Sequence, residues 1–455
     1  MKRSGRMYMK QLIAAVCAAM AALAMGADAA ELPPLFGDGV HDDTAAIQAR
    51  LDAGMSCVYL PPPAKEYLIS KALLLSSNCE LRLDRNTVVR LAPGSRCSMV
   101  ENRHYETGDR NLAVTGGRWE YDNVLQKGNL FVAKGVNMTD AAAYSRENAR
   151  GCIFIFDKVN GLSLRGVTFC NPVTYSCQLV RVSNFTVEDI AFDFTKWNPL
   201  PINMDGIHLD GGCHHGRISN LRGTCFDDMV ALNANDGLDT PYQGPISDID
   251  IDGLYSDYTH RGVRILSAGA PIRRVTVRNV HIRTYRNAVA ITHFFSNRSE
   301  RGDFDEIVIR DVQSSATYEP DALDHDRVAW PIVWIEEKCD VGHLVIDNLS
   351  RTETWRAAHP TIGIDPDATV EHLVIGNCRQ VNETKDDMVF FVNRGKVYNL
   401  ELGTVSLKSA SGAGRSVLRD DTAACGRIFP NFTPNVRPKG KDFQQWEKRA
   451  KANEM

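Results

Sequence analysis

Asp205, Asp227 and Asp228 are the residues of this sequence whose type and spacing point most directly to chemistry. Asp205 precedes the other two by 22 and 23 residues. Breaking a glycosidic bond needs a proton donor for the leaving oxygen and a carboxylate that activates water. Crowded carboxyl groups push one another's pKa values apart, so one keeps its proton while another stays ionised. Acidic turn residues are common in this chain, Asp248, Asp250 and Asp252 among them, so spacing alone also fits carboxylates with no catalytic part. Consecutive strand residues face opposite ways. Asp227 and Asp228 therefore share a cleft only at a turn or bulge, for which Gly223-Thr224-Cys225-Phe226 supplies the place.

Other polar groups surround this set in the sequence. Asn203 stands two residues before Asp205. His208 and Asp210 alternate with Ile207 and Leu209, and Arg264 with Val263 and Ile265, so these polar side chains should point outward. His260, Arg261, Arg264 and His293 are candidates for substrate contact, with Asn203 and His208. Trp119, Trp197 and Tyr175 either stack on sugar faces or pack internally. The adjacent pair His214-His215 reads as a turn rather than a metal site. No cysteine pair has C-x-x-C spacing, so zinc has no support. The sequence asks for no metal and no cofactor.

The elements that must position these groups form a repeat. Leu162-x-Leu164-x-Gly166-Val167, Phe185-x-Val187-x-Asp189-Ile190 and Ile218-x-Asn220-Leu221 are its first copies. Ile249 to Leu254, Val275 to Val280, Ile307 to Val312, Leu344 to Leu349, Leu373 to Cys378 and Leu400 to Val405 continue it. Val167 and Val405 bracket eight intervals and 238 residues, about 30 per copy. Such a period marks a solenoid or propeller, and a WD-type blade needs more residues. Alternation with period two means strands with one buried face. The Gly, Asn or Asp before the last apolar residue tolerates positive φ and marks a turn. Unequal intervals around a constant core fit a parallel β-helix, whose turns lengthen outward while its coils stack.

The expectation is an all-β chain: a single-stranded right-handed parallel β-helix, continuous from about Leu81 to Val405, within a domain spanning 30–420. Residues Asp42 to Leu51 form a short amphipathic helix that covers its N-terminal end. Residues 421–455 read as a polar tail. Lys2, Arg3, Arg6 and Lys10, an apolar run from Leu12 to Met25, and Ala27-Asp28-Ala29 read as a signal peptide over 1–29. That run is too short for a stable membrane span, so the expectation is a secreted or periplasmic protein. Net charge is −4 and no basic stripe is present, which excludes nucleic acid as a partner. Export permits disulfides. Cys170/Cys177 and Cys213/Cys225 are the pairs to test, against the simpler reading of cysteines as small core residues.

Three stretches resemble a known family. Phe36-Gly37-Asp38-Gly39-Val40-x-Asp42-Asp43-Thr44-Ala45-Ala46-Ile47-Gln48 is similar to the N-terminal signature of the pectate-lyase-like β-helix superfamily. Asn203-Met204-Asp205-Gly206-Ile207 and Phe226-Asp227-Asp228 resemble the Asn-Thr-Asp-Gly and Gly-Asp-Asp motifs of glycoside hydrolase family 28, the polygalacturonases and rhamnogalacturonases. The resemblance implies Asp227 as general acid, with Asp205 and Asp228 holding and deprotonating water. Two departures stand out. The family's His-Gly falls at His260-Arg261-Gly262, where Arg261 occupies the histidine position. Its Arg-x-Lys, which grips a uronate, falls at Ala290 and Thr292. Neither can pair with a carboxylate, so the −1 sugar should be neutral or meet Arg261 or Arg264 instead.

The sequence leaves three functions in competition. The first is an inverting glycoside hydrolase acting on a pectin-like or other complex polysaccharide or oligosaccharide. The second is a polysaccharide lyase or epimerase on the same fold, with Arg261 or Arg264 as base and Asp205, Asp227 and Asp228 as ligands to Ca²⁺. The third is a non-catalytic glycan-binding β-helix.

Overall fold

The computed structural model describes residues 32–128, 151–198, 202–237, 241–294, 299–317, 330–354, 359–410, 417–420 and 425–430. The expected signal peptide lies outside the described residues, as does most of the expected tail. Residues 36–455 form one compact unit, with 1–35 a separate one.

The chain is a right-handed parallel β-helix. Strand pairing among the described residues is parallel, in one sheet of 19 strands and another of 12. The longest strands turn a corner within themselves. In Pro271–Thr284 the buried side chains run Val275 and Val277, then change phase to Val280 and Ile282. The residue at the corner is Asn279, with φ of 55°. Gly166, Asp189, Asn220, Gly253, Asn279, Asp311, Asn348 and Asn377 all lie between 53° and 89°. These are the turn residues expected from the repeat, and Thr404 in its last copy is the exception. Their side chains lace neighbouring coils: Asn348 Nδ2 donates to Asp311 Oδ1 at 2.7 Å, and Asn220 Nδ2 donates to Asp189 Oδ1. A short polar side chain thus offsets the left-handed backbone with a hydrogen bond.

The core is built from columns that run across coils. Phe154, Cys177, Ile207, Val230, Val263, Val289, Val333 and Ile362 are register partners in succession, and none has solvent exposure. Truncating one such side chain to alanine should cost about 2–5 kcal/mol for a leucine or isoleucine.

The stack begins earlier and reaches later than the repeat indicates. Cys57–Leu60 already pairs with Glu80–Leu83, and Cys425–Pro430, within the expected tail, pairs with Lys396–Leu402. These short terminal strands carry too few alternations to stand out in sequence. The helix spans Thr44–Asp52, buries Ala46, Ile47 and Leu51, and packs on Cys57–Leu60 and Leu73–Leu75. Asp43 makes no side-chain cap for it. Its carboxylate accepts the Phe36 N–H at 2.6 Å and the Gly37 N–H at 3.1 Å. The ten cysteines from Cys57 to Cys378 are free thiols, eight of them buried. The Cys170/Cys177 and Cys213/Cys225 pairs are therefore not disulfides here, and burial raises these thiols well above their usual range.

Candidate active site

The aspartates sit on the smaller sheet, where the chain enters successive strands. Ile207, Val230, Val263 and Val289 are register partners. The residues two places before them, Asp205, Asp228, Arg261 and Asn287, consequently line up across four coils. Backbone geometry makes this possible. Asn203 is left-handed at φ 59°, and its N–H donates to Asp227 Oδ2 at 2.9 Å. Gly206 must be glycine, because a Cβ would strike the Met229 carbonyl oxygen and the Phe192 ring. The strand ends at Thr224, one residue after Gly223 with its φ of 112°, and the chain bends through Phe226 and Asp227 before resuming at Asp228. That bend lets both aspartates share the cleft.

Charge is densely paired there. Arg261 Nη1 donates to Asp228 Oδ1 at 3.2 Å and lies 3.8 Å from Asp227 Oδ1. Arg261 Nε donates to Asn287 Oδ1 at 3.1 Å, and Asn287 Nδ2 to the Pro331 carbonyl at 2.7 Å. His260 Nδ1 is 2.8 Å from Asp227 Oδ1, a close ion-pair contact without the alignment of a hydrogen bond. Asp228 N–H donates to Asp205 Oδ1 at 3.3 Å. The Asp227 side chain is the most open of the three, 17% exposed against 5% for Asp205 and 3% for Asp228.

These surroundings separate the carboxyl groups. Burial pushes Asp205 up to about 7, with Asp227 and Asp228 reinforcing it against the His208 hydrogen bond. Burial would raise Asp227 too, but His260, Arg261 and Arg264 outweigh it and hold it well below the usual carboxylate range. Burial and Arg261 push His260 down from its ordinary value, despite Asp227. Among the groups that hold Asp227 down, His260 comes first and the permanent charge of Arg261 next.

His208 points outward as expected, yet it is buried. Its Nδ1 is 2.7 Å from Asp205 Oδ2, and its Nε2 is 3.4 Å from Asp210 Oδ1. Tyr175 stacks on the imidazole with centroids 3.8 Å apart, and Gln178 Nε2 donates to Asp210 Oδ2 at 2.5 Å. Burial lowers His208, but Asp210 and Asp205 together drive it up to about 10. Its place is behind Asp205 rather than against substrate.

Ala290 and Thr292 occupy outward positions on the next coil, beside Arg264 and Leu266. Arg264 leans into the space they leave. Its Nε donates to Thr292 Oγ1 at 3.1 Å, its guanidinium lies 4.7 Å over the Phe294 ring, and Nη1 is 3.9 Å from Asp228 Oδ2. His293 does not face the cleft. It is 1% exposed, with Nε2 2.7 Å from the Glu300 carbonyl and its N–H donating to Glu336 Oε2 at 2.8 Å. The strand ends there, and the histidine ties down the following turn.

Trp119 is fully buried core. Trp197 is 36% exposed and stands edge-on to Phe226, beside the cleft. His214 and His215 are exposed and, rather than forming a turn, open the strand His214–Thr224, where His215 approaches Asp248 at 3.8 Å. Asp227, Asp228 and His260 present ligand atoms within 4.8 Å of one another. A cation there would compete with Arg261, whose guanidinium already pairs with Asp228 and approaches Asp227. Asn287, Gln178 and Phe294 were not legible as site residues. The signal for Asn287 was its place two residues before Val289, matching Asp228 before Val230 and Arg261 before Val263.

No family model matches the chain, and no curated protein matches it. Solved structures do. The Azotobacter vinelandii mannuronan C-5 epimerase AlgE6 A-module aligns at 12% identity over 89% of this chain and 98% of its own, with a TM-score of 0.61. A Yersinia enterocolitica family 28 exopolygalacturonase aligns at 16% identity over 89% of this chain and 77% of its own, with a TM-score of 0.57. PfbA, a surface adhesin of Streptococcus pneumoniae, aligns at 14% identity over 90% of this chain and 95% of its own, also at 0.57. What this chain shares with all three is the right-handed parallel β-helix.

Proposed function

We propose that this protein is an exported glycan-active enzyme that hydrolyses glycosidic bonds by single displacement, using Asp205, Asp227 and Asp228. The observation that carries the reading is that three carboxyl groups meet in one cleft, with the Asp228 N–H on Asp205 Oδ1 at 3.3 Å and Arg261 Nη1 within 3.8 Å of both Asp227 and Asp228, while their surroundings push Asp205 up and Asp227 down. Groups driven apart in this way supply the acid and the base of one reaction. Their protons belong to the set rather than to single residues. Asp205 is the resting place of the proton, while Asp227 is the carboxyl group a glycosidic oxygen can reach. Substrate groups that engage His260 and Arg261 weaken their hold on Asp227, and the proton passes to it from Asp205. Asp227 then protonates the leaving oxygen. Asp205 and Asp228 position and deprotonate the water that attacks the anomeric carbon. Arg264 provides the cation that Ala290 and Thr292 lack, so an acidic sugar is gripped from the preceding coil.

Arg261 and Arg264 also favour a second reading. Two cations beside the cleft could take up a uronate's charge, as elimination or C5 epimerisation requires. Incubating the protein with a panel of acidic and neutral glycans separates the two. Reducing ends without ultraviolet absorbance support hydrolysis. An unsaturated, absorbing product supports a lyase, and a changed NMR spectrum without new ends supports an epimerase.

A further inference from the structure

The outward column that contains Arg264 continues along the same sheet through Ala290, Trp334, Gly363 and Val392. Strands in a sheet are about 4.8 Å apart, so Trp334 stands roughly 10 Å beyond Arg264. A hollow of about 180 Å³ opens there, with Trp330, Trp334, Gly363, Asp365 and Arg394 among its lining. Its size is below the roughly 300–1,000 Å³ of sites for drug-sized ligands, and suits a single ring. The two indoles lie 5.2 Å apart at 55°, giving the hollow two apolar walls. Trp334 Nε1 donates to Asp365 Oδ2 at 2.9 Å, which fixes the indole and aims the carboxyl group at the same space. Gly363 leaves the sheet surface bare beside Trp334, and a Cβ there would crowd Pro331 at 3.0 Å.

We infer that this hollow is a sugar subsite, two coils from Arg264, which holds a pyranose ring of the same glycan chain. Indole faces stack on the C–H face of a sugar, and Asp365 accepts its hydroxyl hydrogens. Arg394 also lines the hollow and offsets the charge of Asp365, and Arg286 lies 4.7 Å over the Trp330 ring. Ala290 and Gly363 keep the path along the sheet low. The inference rests on the reading of the acid cluster as the place where the glycan chain is cut.

The test measures tryptophan fluorescence of the Asp227→Asn protein titrated with oligogalacturonides and with rhamnogalacturonan fragments of graded length. Each series is repeated with Trp334→Ala and, as a milder change, Asp365→Asn added. The inference predicts that fragments of either series long enough to span both sites bind about tenfold more weakly to either double variant. Disaccharides should bind both alike. Equal loss for short and long fragments, or no loss at all, would overturn it. The length-dependent loss is a binding result. It stands even if wild-type protein releases no reducing ends, an outcome that would strike the hydrolase reading alone.

Discussion

Arg264 reaches from its own coil to the next, where its Nε donates to Thr292 Oγ1 at 3.1 Å. The guanidinium is thereby placed at an outward position whose own residue has no charge. Replacing Arg264 with alanine should raise KM for an acidic glycan by about tenfold or more, since a charge-assisted contact is lost. Arg264→Lys should not restore it, because an ammonium cannot both hold Thr292 and lie flat on Phe294. Steady-state kinetics of the three proteins check this. Unchanged KM in Arg264→Ala would remove Arg264 from substrate binding.

A proton held on Asp205 has consequences for pH. With that carboxyl pushed up to about 7, hydrolysis should fall as pH rises through about 7. The His208 hydrogen bond opposes the rise, so His208→Gln should move the alkaline limb of kcat/KM to higher pH. The same shift bears on stability. A carboxyl group raised in the folded state stabilises it at low pH, and this contribution is lost between about pH 4 and 7. Asp205→Asn should remove roughly 2–4 kcal/mol of that pH-dependent loss. Denaturant unfolding at pH 4.5 and pH 8 would show it as a smaller difference in the variant than in the wild type. Equal slopes would place the proton elsewhere.

Gly206 gives a test of how the fold shapes the site. Its missing side chain admits Phe192 and the Met229 carbonyl. Gly206→Ala should cost about 1–3 kcal/mol of stability and displace Asp205 from Asp228, lowering activity more than a surface substitution would. Thermal melts and kinetics of the variant give both numbers.

Much of this arrangement was legible in the sequence. The corner residues from Gly166 to Asn377 announced themselves because a left-handed turn restricts residue type. The three aspartates announced themselves through motif and spacing. What stayed hidden followed from how coils stack. Neighbours in space lie a whole coil apart in sequence, so the contacts of Arg261 with Asn287 and of His208 with Tyr175 have no local mark. Alternation assigned His208 correctly to the outward side. It could not reveal that Tyr175, from the preceding coil, would cover that side. His293 misled for a similar reason, since a polar residue just past a strand end serves equally well as a ligand contact or as a turn anchor.

The most direct test of the account is the configuration of the first-formed product. A glycan that the protein cleaves is followed by proton NMR from the first turnover, alongside Asp227→Asn protein. Single displacement by the aspartate set predicts an inverted anomeric centre and no double bond. It also predicts activity in Asp227→Asn reduced by about a thousandfold or more with an unchanged circular dichroism spectrum. Retained configuration, an unsaturated product, or full activity in the variant would contradict it.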